Sequence, residues 1–259
     1  MPAEPPPSAA REQLQALARA AARGEDRRGI GAPDLPPALD PRPAAVLILF
    51  GVLDALPSSH HAHERSVSRD LDVLLLARAT TLRSHPGQVA FPGGRVDGDE
   101  SPVAAALREA QEETGLDPAG VDVLGAVEPV PLAYSRHLVT PVLAWWRHPS
   151  PVGVVDEAES SAVFRAPVAD LLDPARRGVT VIRREGREWR GPGFLVPRHD
   201  GHGAHIVWGF TGMLLNGLFD RLGWTEPWDR ERELPLTGPG FDESELSSSP
   251  GSSAGSSTD

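Results

Sequence analysis

Apolar residues fall along the chain in short runs separated by polar, glycine- and proline-bearing stretches, the pattern of a sheet-rich domain. Ala45–Val52 and Val73–Ala77 are unbroken apolar runs, as expected of strands buried on both faces. Val121–Val127, His137–Trp146, Val179–Arg183 and His205–Trp208 are further expected strands. Helical spacing is confined to Ser101–Thr114, a short segment near Val168–Leu172, and Phe210–Leu222. Few helices among many strands predict an α/β (α+β) fold with a mixed sheet rather than a regularly alternating parallel one. Leu14, Leu17 and Ala21 predict a helix over Ser8–Arg23, set by the surrounding proline pairs on an arm spanning residues 1–41. From Leu234 onward the sequence is acidic and Ser/Gly-rich and is expected to be a disordered tail, 234–259, because it buries too little to offset ordering entropy. The domain is expected over 42–233.

Composition changes this picture mainly by exclusion. The 259 residues carry no cysteine, which removes disulfides, thiolate nucleophiles and Cys-ligated metal centres. No lysine occurs either, so Schiff-base chemistry and a phosphate-gripping P-loop lysine are absent. A net charge of −11 and the lack of a basic run argue against a nucleic-acid partner. The longest apolar stretch, Ala44–Leu53, is too short for the ~20 residues a spanning helix needs. MPAEPPPSAA lacks the order of a secretory signal, so no membrane partner and a cytoplasmic location are expected.

The informative segment is PGGRVDGDESPVAAALREAQEETGL, Pro92–Leu116. Gly93 and Gly94 permit a tight turn. Ser101 followed by Pro102 signals a helix start, and Gly115 a left-handed stop. At ~100° per residue, Val103, Leu107, Ala110 and Thr114 form one arc, expected to face the core. Glu109, Glu112 and Glu113 form an opposing arc, with Ala105 among them. Three carboxylates on one face repel one another unless a cation compensates, and an oxygen-preferring Mg²⁺ or Mn²⁺ suits them. Arg108 is placed to orient a carboxylate. A helix face of this kind, taken alone, is more often a solvated surface.

The spacing Gly94, Glu100, then Arg108-Glu109-Ala110-Gln111-Glu112-Glu113-Thr114-Gly115-Leu116 resembles the Nudix box, G-x5-E-x7-R-E-U-x-E-E-x-G-U, at every fixed position. The resemblance implies an α/β/α sandwich with a loop–helix–loop motif, and hydrolysis of a nucleoside diphosphate linked to another moiety. Upstream, LLLARATTLRSHPGQVAFPGG, Leu74–Gly94, is similar to the signature of the coenzyme A pyrophosphatases through Arg78, Leu82, His85, Gly87, Gln88, Val89, Phe91, Pro92, Gly93 and Gly94. Leu76 and Ala79 depart from it. His205–Thr211 resembles a further segment of that subfamily.

That subfamily resemblance implies a nucleotide substrate of coenzyme A type, split into 3′,5′-ADP and 4′-phosphopantetheine. Mg²⁺ or Mn²⁺ would sit on Glu109, Glu112 and Glu113, with the Gly94 carbonyl as a further ligand and Glu100 holding the loop. Arg78, Arg83 and His85 are candidates for the 3′-phosphate, since a forked guanidinium suits a phosphate; Gln88 and Gly93 complete the substrate set. Outside the box, Glu159 is a candidate acid, with Glu128 a weaker one. His60, His61 and His63 are expected to be structural, and Trp145 and Trp146 to pack in the core. A homodimer is compatible with this reading. Two alternatives remain open: a substrate such as ADP-ribose, NADH or an oxidised nucleoside triphosphate, and a non-enzymatic sensor on the same fold.

Overall fold

The structure is a computed structural model that describes residues 8–25, 30, 41–52, 57–82, 85–132, 136–184, 186–198 and 203–236. Arg83 and residues 237–259 of the expected tail lie outside them. Eleven strands and four helices are present among the described residues: β1 (Arg42–Val52), β2 (Leu71–Arg78), β3 (Val89–Ala90), β4 (Gly93–Arg95), β5 (Val121–Ala126), β6 (Val130–Leu132), β7 (His137–Trp146), β8 (Ser160–Pro167), β9 (Arg177–Arg184), β10 (Arg187–Pro197), β11 (Ala204–Val207), and α1 (Ser8–Ala22), α2 (Pro102–Thr114), α3 (Val168–Leu172), α4 (Gly209–Leu222).

β1 organises the larger, mixed sheet. Along one edge it runs parallel to β7, from Arg42↔His137 to Phe50↔Trp145. On its other edge it meets β2 only at its end, Phe50↔Val73 to Val52↔Leu71, and β4 at its start, Ala44↔Arg95 to Val46↔Gly93. β1 and β2 therefore diverge, and the β3–β4 segment fills the wedge, with β3 pairing β2 at Leu76↔Ala90. β8 covers the far edge of β2, while β5 and β6 pair with β7. A separate antiparallel sheet has the order β11-β10-β9.

Both faces of β1 are covered, which is why its sequence is apolar without alternation. Ala45, Leu47 and Leu49 pack with Ala105, Ala106 and Ala110 of α2. Ile48 and Phe50 face the other core, built from α1, α3, α4 and Phe194 and Val196 of β10. The tryptophans of β7 divide between the layers, Trp145 into the second core and Trp146 into the α2 side. The architecture is the expected α/β/α sandwich with a mixed sheet.

Two expectations at the termini need correction. α1 is not peripheral: Ala10 and Leu14 are fully buried, Arg11 pairs with Asp122 of β5 at 2.7 Å, and the Trp224 indole N–H donates to Gln13 at 2.5 Å. Leu234, read as the first tail residue, is buried, and its N–H donates to the Val179 carbonyl at 2.8 Å. Among the described residues no helix is long and apolar enough to cross a membrane.

Candidate active site

The site begins where β4 crosses β1. The Leu47 N–H donates to the Pro92 carbonyl at 2.8 Å and locks the turn before Gly93. Gly93 has φ +157°, and a Cβ there would lie 2.3 Å from the Ala45 carbonyl oxygen, so only glycine allows this approach. At Gly94 a Cβ would instead lie 2.4 Å from Cδ of Glu109. The second glycine is the floor on which a carboxylate rests.

α2 delivers that carboxylate. Its start is fixed by Ser101, whose hydroxyl accepts from the Ala104 N–H at 3.2 Å, and its end by Gly115 at φ +72°. The helix buries Ala105, Ala106, Ala110 and Thr114, with Val103 and Leu107 only half-buried. The expected arcs are therefore rotated: Ala105, assigned to the acidic arc, is wholly buried, and that arc runs along the seam between helix and turn. The physical reason is size, because small alanines let α2 sit close over β1, which brings Glu109 and Glu113 inward.

The three acids then part company. Glu113 accepts a hydrogen bond from the Gly93 N–H at 2.9 Å. Burial pushes its carboxyl up to about 7; the Gly93 N–H and the charge of Arg78 oppose the rise, and the charges of Glu109 and Glu159 add to it. Glu109 is also raised, by burial first, with Glu112 and Asp97 contributing and Arg108 opposing. Glu112 is turned outward and pairs with Arg108 at 3.1 Å.

Arg108 is the hub of the seam. Its Nη1 donates to Glu109 at 3.0 Å and to Glu112 at 3.1 Å, and its Nη2 donates to Glu100 at 2.8 Å and to the Arg95 carbonyl at 3.1 Å. Glu100 in turn accepts from the Asp97 N–H at 2.8 Å, so its carboxylate links the loop to Arg108 of the helix. Hydrogen bonds from Arg108 and the Asp97 N–H hold the Glu100 carboxyl below its usual range.

The upstream candidates cluster unevenly. Arg78 ends β2, where its N–H donates to the Gln88 carbonyl at 3.0 Å, and its charge reaches Glu113. His85, at φ +54°, and Gln88 contact each other at 3.0 Å through Nδ1 and Oε1, in the loop before β3. Glu159 is exposed, yet its charge also acts on Glu113. Glu128 lies 4.0 Å from Arg221. His60 and His63 are satisfied by a partner absent from the sequence reading: the buried Glu226 lies 3.0 Å from His60 Nε2 and accepts from the His63 N–H at 3.0 Å. Its distance in sequence hid it, since no spacing links residue 60 to residue 226.

Whether the seam suits a divalent cation turns on its charge. Two desolvated carboxylates whose pKa values stay raised despite Arg108 and Arg78 mark negative charge that the protein offsets only in part, and every donor is an oxygen, which suits Mg²⁺ or Mn²⁺. Among the described residues no three His, Cys, Asp or Glu side chains form a ready cage.

Several known proteins are similar to this chain. The NUDIX domain profile matches residues 65–184. An uncharacterised Nudix hydrolase, NudL, of Cronobacter sakazakii is 41% identical over 152 residues, covering 58% of this chain and 75% of its own length. Its Salmonella paratyphi B counterpart is 39% identical over 158 residues, with the same coverage. A crystal structure of the Nudix hydrolase RenU from M. smegmatis aligns at 25% identity and a TM-score of 0.37, over 48% of this chain and 69% of that one. With its glutamates seated on the double-glycine turn and relatives matched over three quarters of their length, the chain belongs to the Nudix hydrolase family.

Proposed function

We propose that this Nudix hydrolase cleaves the diphosphate of coenzyme A or an acyl-CoA, releasing 3′,5′-ADP and (acyl-)4′-phosphopantetheine. The observation that carries the chemistry is the pair Glu109 and Glu113, desolvated and seated on Gly94 and the Gly93 N–H. The substrate class is supported by the Leu74–Gly94 signature, whose Gly93 donates to Glu113 and whose Arg78 acts on it by charge.

Glu109, Glu113 and, after release from Arg108, Glu112 would hold Mg²⁺ or Mn²⁺, with the Gly94 carbonyl beside them. Such ions, when bound, neutralise diphosphate oxygens and activate water for in-line attack. The chain supplies the positioning. The Gly93 N–H fixes Glu113, Arg108 and Glu100 fix the loop and Glu109, and Glu159, whose charge acts on Glu113, would accept the proton of the attacking water. A cytoplasmic location and a homodimer belong to the same proposal.

The test is incubation with coenzyme A, ADP-ribose, NADH and an oxidised nucleoside triphosphate in Mg²⁺, with products identified by mass. Preferred turnover of coenzyme A to 3′,5′-ADP is expected. Preference for any of the others overturns the substrate assignment, and no metal-dependent turnover of any of them favours a sensor.

A further inference from the structure

Arg78 was expected to read the 3′-phosphate of coenzyme A, yet its surroundings assign it elsewhere. It ends β2 at a break in the ladder with β8: Ala77 pairs with Ala162, but Arg78 pairs with Ser160. An extra residue of this kind bends a strand and re-aims a side chain, and such bulges gather beside active sites. The backbone of Arg78 is used in the fold, its N–H donating to Gln88 and its carbonyl accepting from the Ser161 hydroxyl at 3.2 Å. Its Nε is buried and has no hydrogen-bond partner among the described residues.

A desolvated donor without a partner costs stability, and it persists where a ligand completes it. The charge of Arg78 acts on Glu113, which the Gly93 N–H holds, and Glu159, just before β8, accepts at its carbonyl from the Ala79 N–H at 2.8 Å, so an anion reaching Arg78 also lies beside the turn. In a nucleoside diphosphate derivative that anion is the diphosphate, whereas the 3′-phosphate is carried on the far side of the ribose.

We propose that Arg78 grips the diphosphate itself, on the Glu113–Glu159 side of the turn, and does not read the 3′-phosphate. This rests on the seam binding a nucleoside diphosphate derivative. The forked, permanently charged guanidinium supplies paired donors to non-bridging phosphate oxygens, where charge builds as the anhydride breaks. It contributes equally to every substrate with that linkage.

The experiment compares the full-length wild type with Arg78→Gln and Arg78→Lys on coenzyme A, dephospho-CoA and ADP-ribose in Mg²⁺. Arg78→Gln is expected to lower kcat/KM on the order of 10- to 100-fold for all three. The coenzyme A to dephospho-CoA ratio should stay within about twofold of wild type. Arg78→Lys, or guanidinium added to Arg78→Ala, should recover part of the loss. Loss confined to coenzyme A, no loss at all, or a loss that tracks a lowered melting temperature without rescue overturns the proposal. If the wild type cuts only ADP-ribose, the coenzyme A assignment fails and the Arg78 test is read on ADP-ribose. If it cuts none of the three, ADP-ribose binding by calorimetry reads the same contact, and equal binding by wild type and Arg78→Gln overturns it.

Discussion

The two adjacent glycines of the turn should respond to the same substitution in opposite ways. In Gly94→Ala the new methyl meets only the tip of a side chain, Cδ of Glu109 at 2.4 Å and its oxygens at 2.5 and 2.6 Å. Ordinary carbon contacts lie near 3.5–4.0 Å, so the carboxylate must withdraw by about 1 Å. Glu109 is half-buried and can rotate towards solvent, so the fold should lose little, with Tm within about 3 °C of wild type. The chemistry should lose much more. A displacement of about 1 Å at a positioned group costs on the order of 100-fold, about 2.7 kcal/mol of barrier. In Gly93→Ala the methyl meets backbone instead, the Ala45 oxygen at 2.3 Å and Val46 Cα at 2.7 Å, from a φ of +157°. Overpacking and backbone strain together should cost about 3–5 kcal/mol, or about 10 °C or more in Tm. Thermal melts and kcat/KM on coenzyme A separate the two. Adding Glu109→Gln to Gly94→Ala should cause no further loss, since both act on one carboxylate. Gly94→Ala with activity within about threefold of wild type, or Gly93→Ala melting like wild type, would refute the reasoning.

Glu113, with a folded-state value of about 7 above its ordinary 4.5, binds more protons folded than unfolded, so stability should fall as pH rises from about 4.5 to about 7 and then level off. Glu113→Gln should remove that slope and, discounting for solvent screening, gain about 2 kcal/mol at pH 8 while abolishing turnover; urea titrations at pH 5 and 8 decide it. For the same reason Mn²⁺ should raise the wild-type Tm more at pH 8 than at pH 5, and an equal rise at both would contradict it. Arg108→Lys cannot serve Glu100, Glu109, Glu112 and the Arg95 carbonyl together, so kcat should fall about 10-fold or more with less than about 1 kcal/mol of stability lost, measured by kinetics and melts. Arg177 is fully buried between Phe194 and Trp228, at 4.8 and 4.6 Å, and donates to Asn216 at 2.6 Å. Arg177→Ala should cost about 3 kcal/mol and Arg177→Met about half that, by urea unfolding.

Much of the fold was legible because local signals and packing agreed. Ser101, Pro102 and Gly115 bounded α2 to within one residue, and His137–Trp146 was found at its observed limits because β7 is covered on both faces. β10 was missed because Gly191, Pro192 and Gly193 read as loop. They are tolerated where β10 pairs with β9 alone, since pairing with β11 begins only at Phe194. β8 was missed because Ser160–Pro167 has neither a continuous apolar run nor strict alternation; its position is set by pairing with β2. The box identified the acids but not their division of labour. That Glu112 turns to Arg108 while Glu113 turns to the Gly93 N–H depends on how closely Ala105 and Ala106 let the helix approach β1, a tertiary distance that no spacing encodes.

The most direct measurement is the anomalous map of a crystal grown with Mn²⁺ and a slowly cleaved diphosphate analogue. We expect a peak about 2.2 Å from carboxylate oxygens of both Glu109 and Glu113, against the Gly93–Gly94 turn. A map with no peak there, or with manganese only at His60, His63 and Glu226, would contradict the account.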